Sequence, residues 1–426
     1  MQVHHGCIAD GIEKLPRHLH IFFTSTNNSS FNVSLIWFGT AVSVAEIMTG
    51  TFLAPLGMKD GFLAILVGHV IGGIILYLAG IIGANKRCSA SESINLSFGK
   101  LGSVSFSLLN TIQLIGWTSI MTIIGAQAFN KLMASLWNMG ENTILWTIII
   151  GLFPCIWIFS TMDFVSKINK VVMLCLLLAS LYLGFGAVVS ANEVVTSLDE
   201  SMSFGMAVEL NIAMCLSWMP VISDYTRTLK NQSTGTLSCV VAYCFGSILM
   251  YTIGLGSAVH YGITDICDIF MLSGLGVISL VVILLSTVTT NFITINSSSI
   301  CLNHISNQLD VKYTAFFVCI ISTLLAIFLS MEQYETFLYF IAATFAPLFA
   351  IAFSEYFFSH NIYHQNSLIT GKNCLLWLIG FIAYELLIDY STFIGITVPV
   401  MLAIAIINIF VNQLIGAKKF SLNKRY

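Results

Sequence analysis

From Gly61 to Ala84 the chain reads "GFLAILVGHVIGGIILYLAGIIGA", twenty-four residues without one Asp, Glu, Lys or Arg. As a helix rising about 1.5 Å per residue, such a run is long enough to cross a hydrocarbon core of about 30 Å. Comparable runs recur along the chain, twelve in all. They lie near 33–55, 60–84, 103–133, 143–161, 170–190, 204–224, 235–260, 271–303, 312–330, 336–358, 373–390 and 393–415. The composition agrees: 57% of the 426 residues are hydrophobic and only 9% charged, against about 25% charged in soluble domains. The ten-residue alternation of an outer-membrane barrel is absent. The expected fold is therefore all-α, integral to a membrane, with twelve spans.

Orientation follows from the basic residues, which favour cytoplasmic connectors. With the N-terminus inside, the even-numbered connectors hold nine Lys and Arg residues (Lys86, Arg87, Lys100, Lys167, Lys170, Arg227, Lys230, Lys312 and Lys372). The odd-numbered ones hold two, Lys59 and Lys131. The expectation is a multi-pass protein of the plasma or inner membrane with both termini cytoplasmic. Residues 1–32 read as a disordered cytoplasmic extension and 416–426 as a basic tail. The net charge of -3 and the lack of a basic stripe give no reason to expect nucleic acid. The sequence suggests no obligatory protein partner. Eleven cysteines, mostly inside apolar runs, read as packing residues rather than a redox or metal set. His360 and His364 ("HNIYH") fall in a polar connector and read as a solvated face.

Two segments have unusual centres. Segment one, "LIWFGTAVSVAEIMTGTFLAPLG", carries glycines, small polar residues and Glu46. Segment six, "ELNIAMCLSWMPVISDYTR", carries Pro220. Such residues free backbone groups that hydrocarbon does not solvate, so both helices are expected to break where they line a cavity or face protein. Interrupted helices five apart point to an inverted-repeat transporter with its site at the breaks.

Several polar residues lie at this depth. Ser286, Thr289 and Thr290, in "STVTTNFITINSSS", fall at i, i+3 and i+4 and share a helix face. Hydroxyls so placed either bond back to their own helix or present oxygens to a hard cation. Backbone around Gly39 to Val42 offers further oxygens. In segment three, Gln113 and Trp117 are i and i+4. A ring and an amide on one face suit a flat heterocycle, and equally suit interhelical packing. Trp218 beside Pro220 has the same two readings. Glu46 is a carboxylate at membrane depth and therefore a functional candidate, either as a substrate contact or as a gating or proton-linked group. Glu209 and Glu385 lie nearer segment ends and are expected at interfaces. Asp224 and Arg227 are placed to pair at the cytoplasmic end of segment six.

The stretches "TGTFLAPLG", "GFLAILVGHVIGGIILYLAGIIGA", "SESINLSFGKLGS", "QLIGWTS", "SDYTR" and "TTN" together resemble the nucleobase:cation symporter-1 (purine/cytosine permease) family. They are most similar to its hydroxymethylpyrimidine permease branch. The resemblance spans about 33 to 415 and is strongest before 120. It implies a LeuT-type fold of two inverted five-helix repeats (about 33–190 and 204–358), followed by two further helices over 373–415. It implies a planar heterocycle held between broken helices one and six and helices three and eight. It also implies sodium as co-transported ion, held by carbonyls of Gly39 and Val42 and by Ser286, Thr289 and Thr290. No other cofactor is expected. Together with the residue-level reading, the substrate set is Glu46, Gln113, Trp117, Ser217, Trp218 and Asn291.

The chain departs from the cytosine permeases in three ways. Gln113 lies four residues before Trp117 instead of three. Cys215 stands where those proteins have an aromatic residue. Glu46 has no counterpart there. These departures favour a pyrimidine with an added group over cytosine itself, and the resemblance to the branch implies the thiamine precursor 4-amino-5-hydroxymethyl-2-methylpyrimidine; cytosine, a purine, allantoin or proton coupling are the alternatives. No phosphate-binding loop, HExxH or nucleophile–base set supports an ATPase or an intramembrane enzyme.

Overall fold

The computed structural model describes residues 29–158, 162–189, 202–306, 310–358, 367–390 and 392–423. The N-terminal extension up to residue 28 and the pair His360 and His364 lie outside them. All regular elements among the described residues are helices, fifteen of them α. They are α1 (Ser30–Ala41), α2 (Val44–Phe52), α3 (Gly57–Lys86), α4 (Ala90–Trp137), α5 (Thr143–Ile158), α6 (Met162–Val189), α7 (Phe204–Leu216), α8 (Met219–Thr226), α9 (Gln232–Tyr261), α10 (Ile266–Phe270), α11 (Val277–Ile305), α12 (Val311–Phe328), α13 (Tyr334–Phe358), α14 (Gly371–Leu387) and α15 (Thr397–Asn423).

Both expected breaks are present. The axes of α1 and α2 differ by 52° and those of α7 and α8 by 41°. At the first break Val42 leaves helical geometry and Ser43 is extended (φ -140°, ψ 155°). The Ser43 hydroxyl then starts α2 by accepting from the Glu46 N–H at 3.3 Å. At the second, Trp218 precedes α8, and Pro220 sits in its first turn, where a missing N–H costs little. Nine continuous helices are long and apolar enough to cross a membrane among the described residues, or eleven spans if each bent pair is one. The sixteen-residue α5 is apolar but shorter. Every apolar segment read from the sequence coincides with a helix or a bent pair.

Polar caps punctuate these helices. Ser89 and Glu92 form a reciprocal capping box at the start of α4. Asp310 accepts from the N–H groups of Lys312 and Tyr313 to start α12. Helix α4 begins thirteen residues earlier than residue 103, the start read from hydropathy, and is kinked at Gly99, whose backbone leaves helical geometry (φ +79°). The backbone freed there bonds to the 367–370 connector, with Leu101 N–H donating to the Leu368 carbonyl at 2.8 Å.

The helices pack as two groups. One holds α1, α2, α3, α7, α8 and α9; the other holds α4, α5, α11 and α12. Helix α6 joins the groups by packing on both α9 and α11. Within the first group the backbones of α2 and α9 touch. A Cβ on Gly254 would fall 1.9 Å from the Ile47 carbonyl, and one on Gly50 would fall 2.2 Å from that of Tyr251. Helices α13, α14 and α15 pack against one another, and α13 also packs on α7 of the first group and α4 of the second.

Glu209, expected near a segment end, is enclosed by protein there and only 1% exposed. Its carboxylate accepts from the Ile396 and Thr397 N–H groups at 2.7 and 3.0 Å and from the Tyr384 hydroxyl. The N-terminus of α15 supplies the unpaired donors and the partial positive charge that let a carboxylate sit there. Glu385 is exposed. Asp224 accepts from the Ala90 N–H at 3.1 Å, and Arg227 lies 3.9 Å from Glu92. The C-terminal end of segment six is thereby fastened to the start of α4.

Candidate functional site

The break between α7 and α8 is served from α4. Gln113 is 2% exposed, and its Nε2 donates to the Ser217 carbonyl at 2.8 Å and to Asn110 Oδ1 at 3.3 Å. A carbonyl freed by the bend thus gains a donor from another helix. The other end of the amide, Oε1, is buried with no protein partner. The hydroxyl of Ser217 donates back to Met214 O at 2.7 Å, so its carbonyl, not its side chain, meets Gln113.

Two aromatic groups flank this point. The Trp218 ring lies edge-on to Trp37 (5.7 Å between centroids) and to Tyr243 (6.0 Å), and its Nε1 is buried without a partner. Trp117 lies edge-on to Tyr334 (6.0 Å) and Phe337 (5.4 Å) of α13. The Tyr334 hydroxyl bonds Thr49 of α2 at 2.8 Å, which links that group back to the broken first span. Among the described ring pairs, Trp117 and Trp218 do not touch each other. Sequence spacing puts Gln113 and Trp117 on one face of α4, yet the two reach different neighbours, α7 and α13. Cys215 packs against α3. A Cβ on Gly72 of α3 would meet its side chain at 2.6 Å, so it fills the α3–α7 contact.

Glu46 lies at the start of α2, 2% exposed. Its Oε1 accepts from the Tyr243 hydroxyl at 3.0 Å and its Oε2 from Ser247 Oγ at 2.6 Å, both on α9. Ser247 in turn lies 2.6 Å from Nε2 of His69 on α3. The carboxylate is thus directed to α9 and α3 and meets the aromatic group only through Tyr243.

On α11, Asn291 is fully buried and its Nδ2 donates to Thr122 of α4 at 2.9 Å, while its Oδ1 has no protein partner. Ser286 and Thr289 are buried, and the Thr289 hydroxyl donates to the Ser286 carbonyl at 3.0 Å. That back-bond uses the hydrogen and leaves the oxygen lone pairs for a cation. The Gly39 carbonyl accepts from the Val42 N–H at 3.3 Å, in the last turn before the break. Gly39 itself faces Met173 of α6, the helix on which α11 also packs.

Three of the expected substrate residues therefore each carry one buried polar atom unpaired within the protein: Gln113 Oε1, Trp218 Nε1 and Asn291 Oδ1. Leaving such an atom unpaired costs roughly 1–3 kcal/mol, which a ligand with complementary groups offsets. Sequence reasoning missed Tyr243, Ser247 and His69. The spacing Ser43 to Glu46 is that of a capping box and marks the start of α2, but it gives no hint of the partners across the bundle.

Comparison with known proteins adds the following. The family described as "Permease for cytosine/purines, uracil, thiamine, allantoin" matches residues 24–374. The cytosine permease of Escherichia coli strain K12 is 26% identical over 340 residues, covering 78% of this chain and 79% of its own. The cytosine permease of strain O157:H7 matches equally. Among solved structures, the inward-facing conformation of Mhp1 superposes with a TM-score of 0.76 at 18% identity, covering 91% of each chain. Mhp1 closed around bromovinylhydantoin, described as a nucleobase-cation-symport-1 family transporter, gives 0.72 at 18% identity, covering 91% of this chain and 93% of its own. At such identity the likeness is one of fold.

Proposed function

We propose a substrate and a coupling ion for this chain, which belongs to the family of permeases for cytosine/purines, uracil, thiamine and allantoin. It is a multi-pass membrane transporter and not an enzyme. Our reading is that it imports 4-amino-5-hydroxymethyl-2-methylpyrimidine by alternating access, with sodium as the coupling ion, across twelve spans with both termini cytoplasmic.

The observation that carries the substrate class is the pair of unpaired buried atoms on Gln113 and Trp218 at the α7–α8 break, joined by a third on Asn291, which bonds Thr122 further along α4. An aminopyrimidine supplies what they lack. Its exocyclic amine donates to Gln113 Oε1 and its ring nitrogens accept from Trp218 Nε1. Its hydroxymethyl group donates to Asn291 Oδ1. Trp117 and Trp218 provide the aromatic walls. Glu46 acts on this pocket by holding Tyr243, whose ring lies against Trp218. Direct contact between Glu46 and the substrate is the alternative, and an equal loss of affinity for full and truncated ligands in Glu46→Gln separates the two. Cytosine is the runner-up substrate, since the curated relatives are cytosine permeases. Sodium coupling rests on the hydroxyls of Ser286, Thr289 and Thr290, which share a face of α11, and on the carbonyls of Gly39 and Val42 offered at the first break.

The test is equilibrium binding of labelled hydroxymethylpyrimidine to the purified protein, with cytosine as competitor, in sodium and in choline buffers. The reading expects tighter binding in sodium and weak competition by cytosine. Cytosine binding more tightly than hydroxymethylpyrimidine would contradict the substrate, and equal affinity in both buffers would contradict the ion.

A further inference from the structure

The contacts around Ser247 do not balance unless one extra proton is present. His69 Nδ1 lies 2.9 Å from the Ile65 carbonyl, which can only accept, so Nδ1 carries a hydrogen. In a neutral ring Nε2 is then an acceptor. Ser247 has one hydroxyl hydrogen and stands 2.6 Å from both Nε2 and Glu46 Oε2. With Glu46 ionised and His69 neutral, the hydroxyl satisfies one of them and sets lone pairs against the other. A single added proton removes the conflict in either of two ways. A Glu46 carboxyl donates to Ser247 while Ser247 donates to Nε2, or an Nε2–H donates to Ser247 while Ser247 donates to the carboxylate. Passing from one to the other moves one hydrogen off Oε2 onto Oγ and one off Oγ onto Nε2. The total charge stays zero in both.

The surroundings favour that neutral total. Glu46 and His69 are 2% and 1% exposed, and no ion pair among the described residues involves either. The titratable groups facing them are Tyr243, Cys244 and Tyr251 of α9, Cys215 of α7 and Tyr334 of α13. None of these supplies a positive charge to offset a bare carboxylate. Meanwhile α2 and α9 meet backbone to backbone at Gly50 and Gly254, which leaves water little access to the carboxyl group. A buried unpaired charge of this kind costs several kcal/mol or more.

We propose that Glu46, Ser247 and His69 form a buried proton-binding site that latches α2 to α9 and α3, separate from the cation face on α11, and that loss of its shared proton releases α2. The site gives the carrier a pH dependence whatever ion drives it. The latch role rests on the transport reading; the proton site itself does not, because it is tested without substrate.

Infrared titration of the purified full-length protein in nanodiscs, free of substrate, reads the site directly. The comparison is wild type with Glu46→Gln, His69→Gln, Ser247→Ala and Ser247→Thr. The wild type should show either a protonated-carboxyl band or an imidazolium signature at neutral pH that Glu46→Gln abolishes. His69→Gln and Ser247→Ala should each move the acid–base midpoint of Glu46 by tenfold or more in proton concentration, since coupled groups titrate as a unit. Ser247→Thr, which keeps the hydroxyl, should restore it. If His69→Gln does not fold, the Ser247 pair decides. A Glu46 midpoint unmoved by Ser247→Ala, or an ionised Glu46 beside a neutral His69 at neutral pH, overturns the proposal. For the latch, uptake at a fixed sodium gradient should lose its pH dependence in Glu46→Gln, and an unchanged pH profile overturns that role.

Discussion

Replacing Gln113 with Leu removes two interactions of different kinds. Its Nε2 gives the Ser217 carbonyl a partner at 2.8 Å in a buried site. A carbonyl left there without a donor costs about 1–3 kcal/mol of stability. Its Oε1 has no partner within the protein and is assigned the substrate's exocyclic amine, so the same range applies to binding. At 1.4 kcal/mol per tenfold, 1–3 kcal/mol is about a five- to 140-fold weaker affinity. The assay is equilibrium binding of hydroxymethylpyrimidine and of an analogue lacking the 4-amino group, to wild type and to Gln113→Leu. The full substrate should lose affinity in that range and the analogue should lose little more in the variant. Gln113→Glu keeps an acceptor for the amine while losing the donor to Ser217, so it should bind better than the Leu variant yet unfold at a lower temperature than wild type. Equal losses for both ligands, or none, would refute the assignment of Oε1.

Four further outcomes follow from the geometry. Trp117→Ala and Trp218→Ala should each weaken substrate binding roughly tenfold, since aromatic contacts add about 0.5–1.5 kcal/mol beyond burial; unchanged affinity in both would place the ligand elsewhere. Thr289→Ala or Thr290→Ala should raise the sodium concentration for half-maximal uptake, and an unchanged sodium dependence in both would remove the α11 face from coupling. Gly254→Ala should abolish folded protein, because its Cβ would fall 1.9 Å from the Ile47 carbonyl, whereas Gly256→Ala, whose nearest neighbour is 3.9 Å away, should be tolerated; size-exclusion profiles of the pair check this. Glu209→Ala should lower thermal stability by the cost of unpaired buried donors, about 1–3 kcal/mol each for the Ile396 and Thr397 N–H groups, and leave substrate affinity unchanged in binding assays on the folded fraction.

What was legible in the sequence had a local cause. Uninterrupted apolar runs gave the helices. Pro220 and the small polar residues around Gly39 to Ser43 gave the two breaks, because local backbone chemistry sets where a membrane helix ends. Glu46 stood out as a candidate from its depth alone. Its partners did not: Tyr243 and Ser247 lie 197 and 201 positions away in sequence, and no periodicity encodes which helix a carboxylate meets. The same limit explains Gln113 and Trp117, whose shared face on α4 spans the boundary between two neighbours. It also explains Glu209, read as interfacial from its place near a segment end. There, Tyr384 of α14 and the Ile396 and Thr397 N–H groups at the start of α15 close over Glu209 and bury a position that hydropathy leaves at the edge. The early start of α4 was hidden by Ser91, Ser93, Ser103 and Ser107, which bond backbone or one another inside the protein and lower the mean hydropathy of a helix that is nonetheless buried.

The central claim is that this permease carries a substituted aminopyrimidine driven by sodium. Uptake of labelled hydroxymethylpyrimidine into proteoliposomes of the purified protein, under an inward sodium gradient and then under an inward proton gradient of equal size, tests it most directly. The account predicts saturable accumulation with the sodium gradient, abolished by dissipating it and only weakly inhibited by excess cytosine. Accumulation that ignores sodium and follows the proton gradient, or transport of cytosine in preference to hydroxymethylpyrimidine, would contradict it.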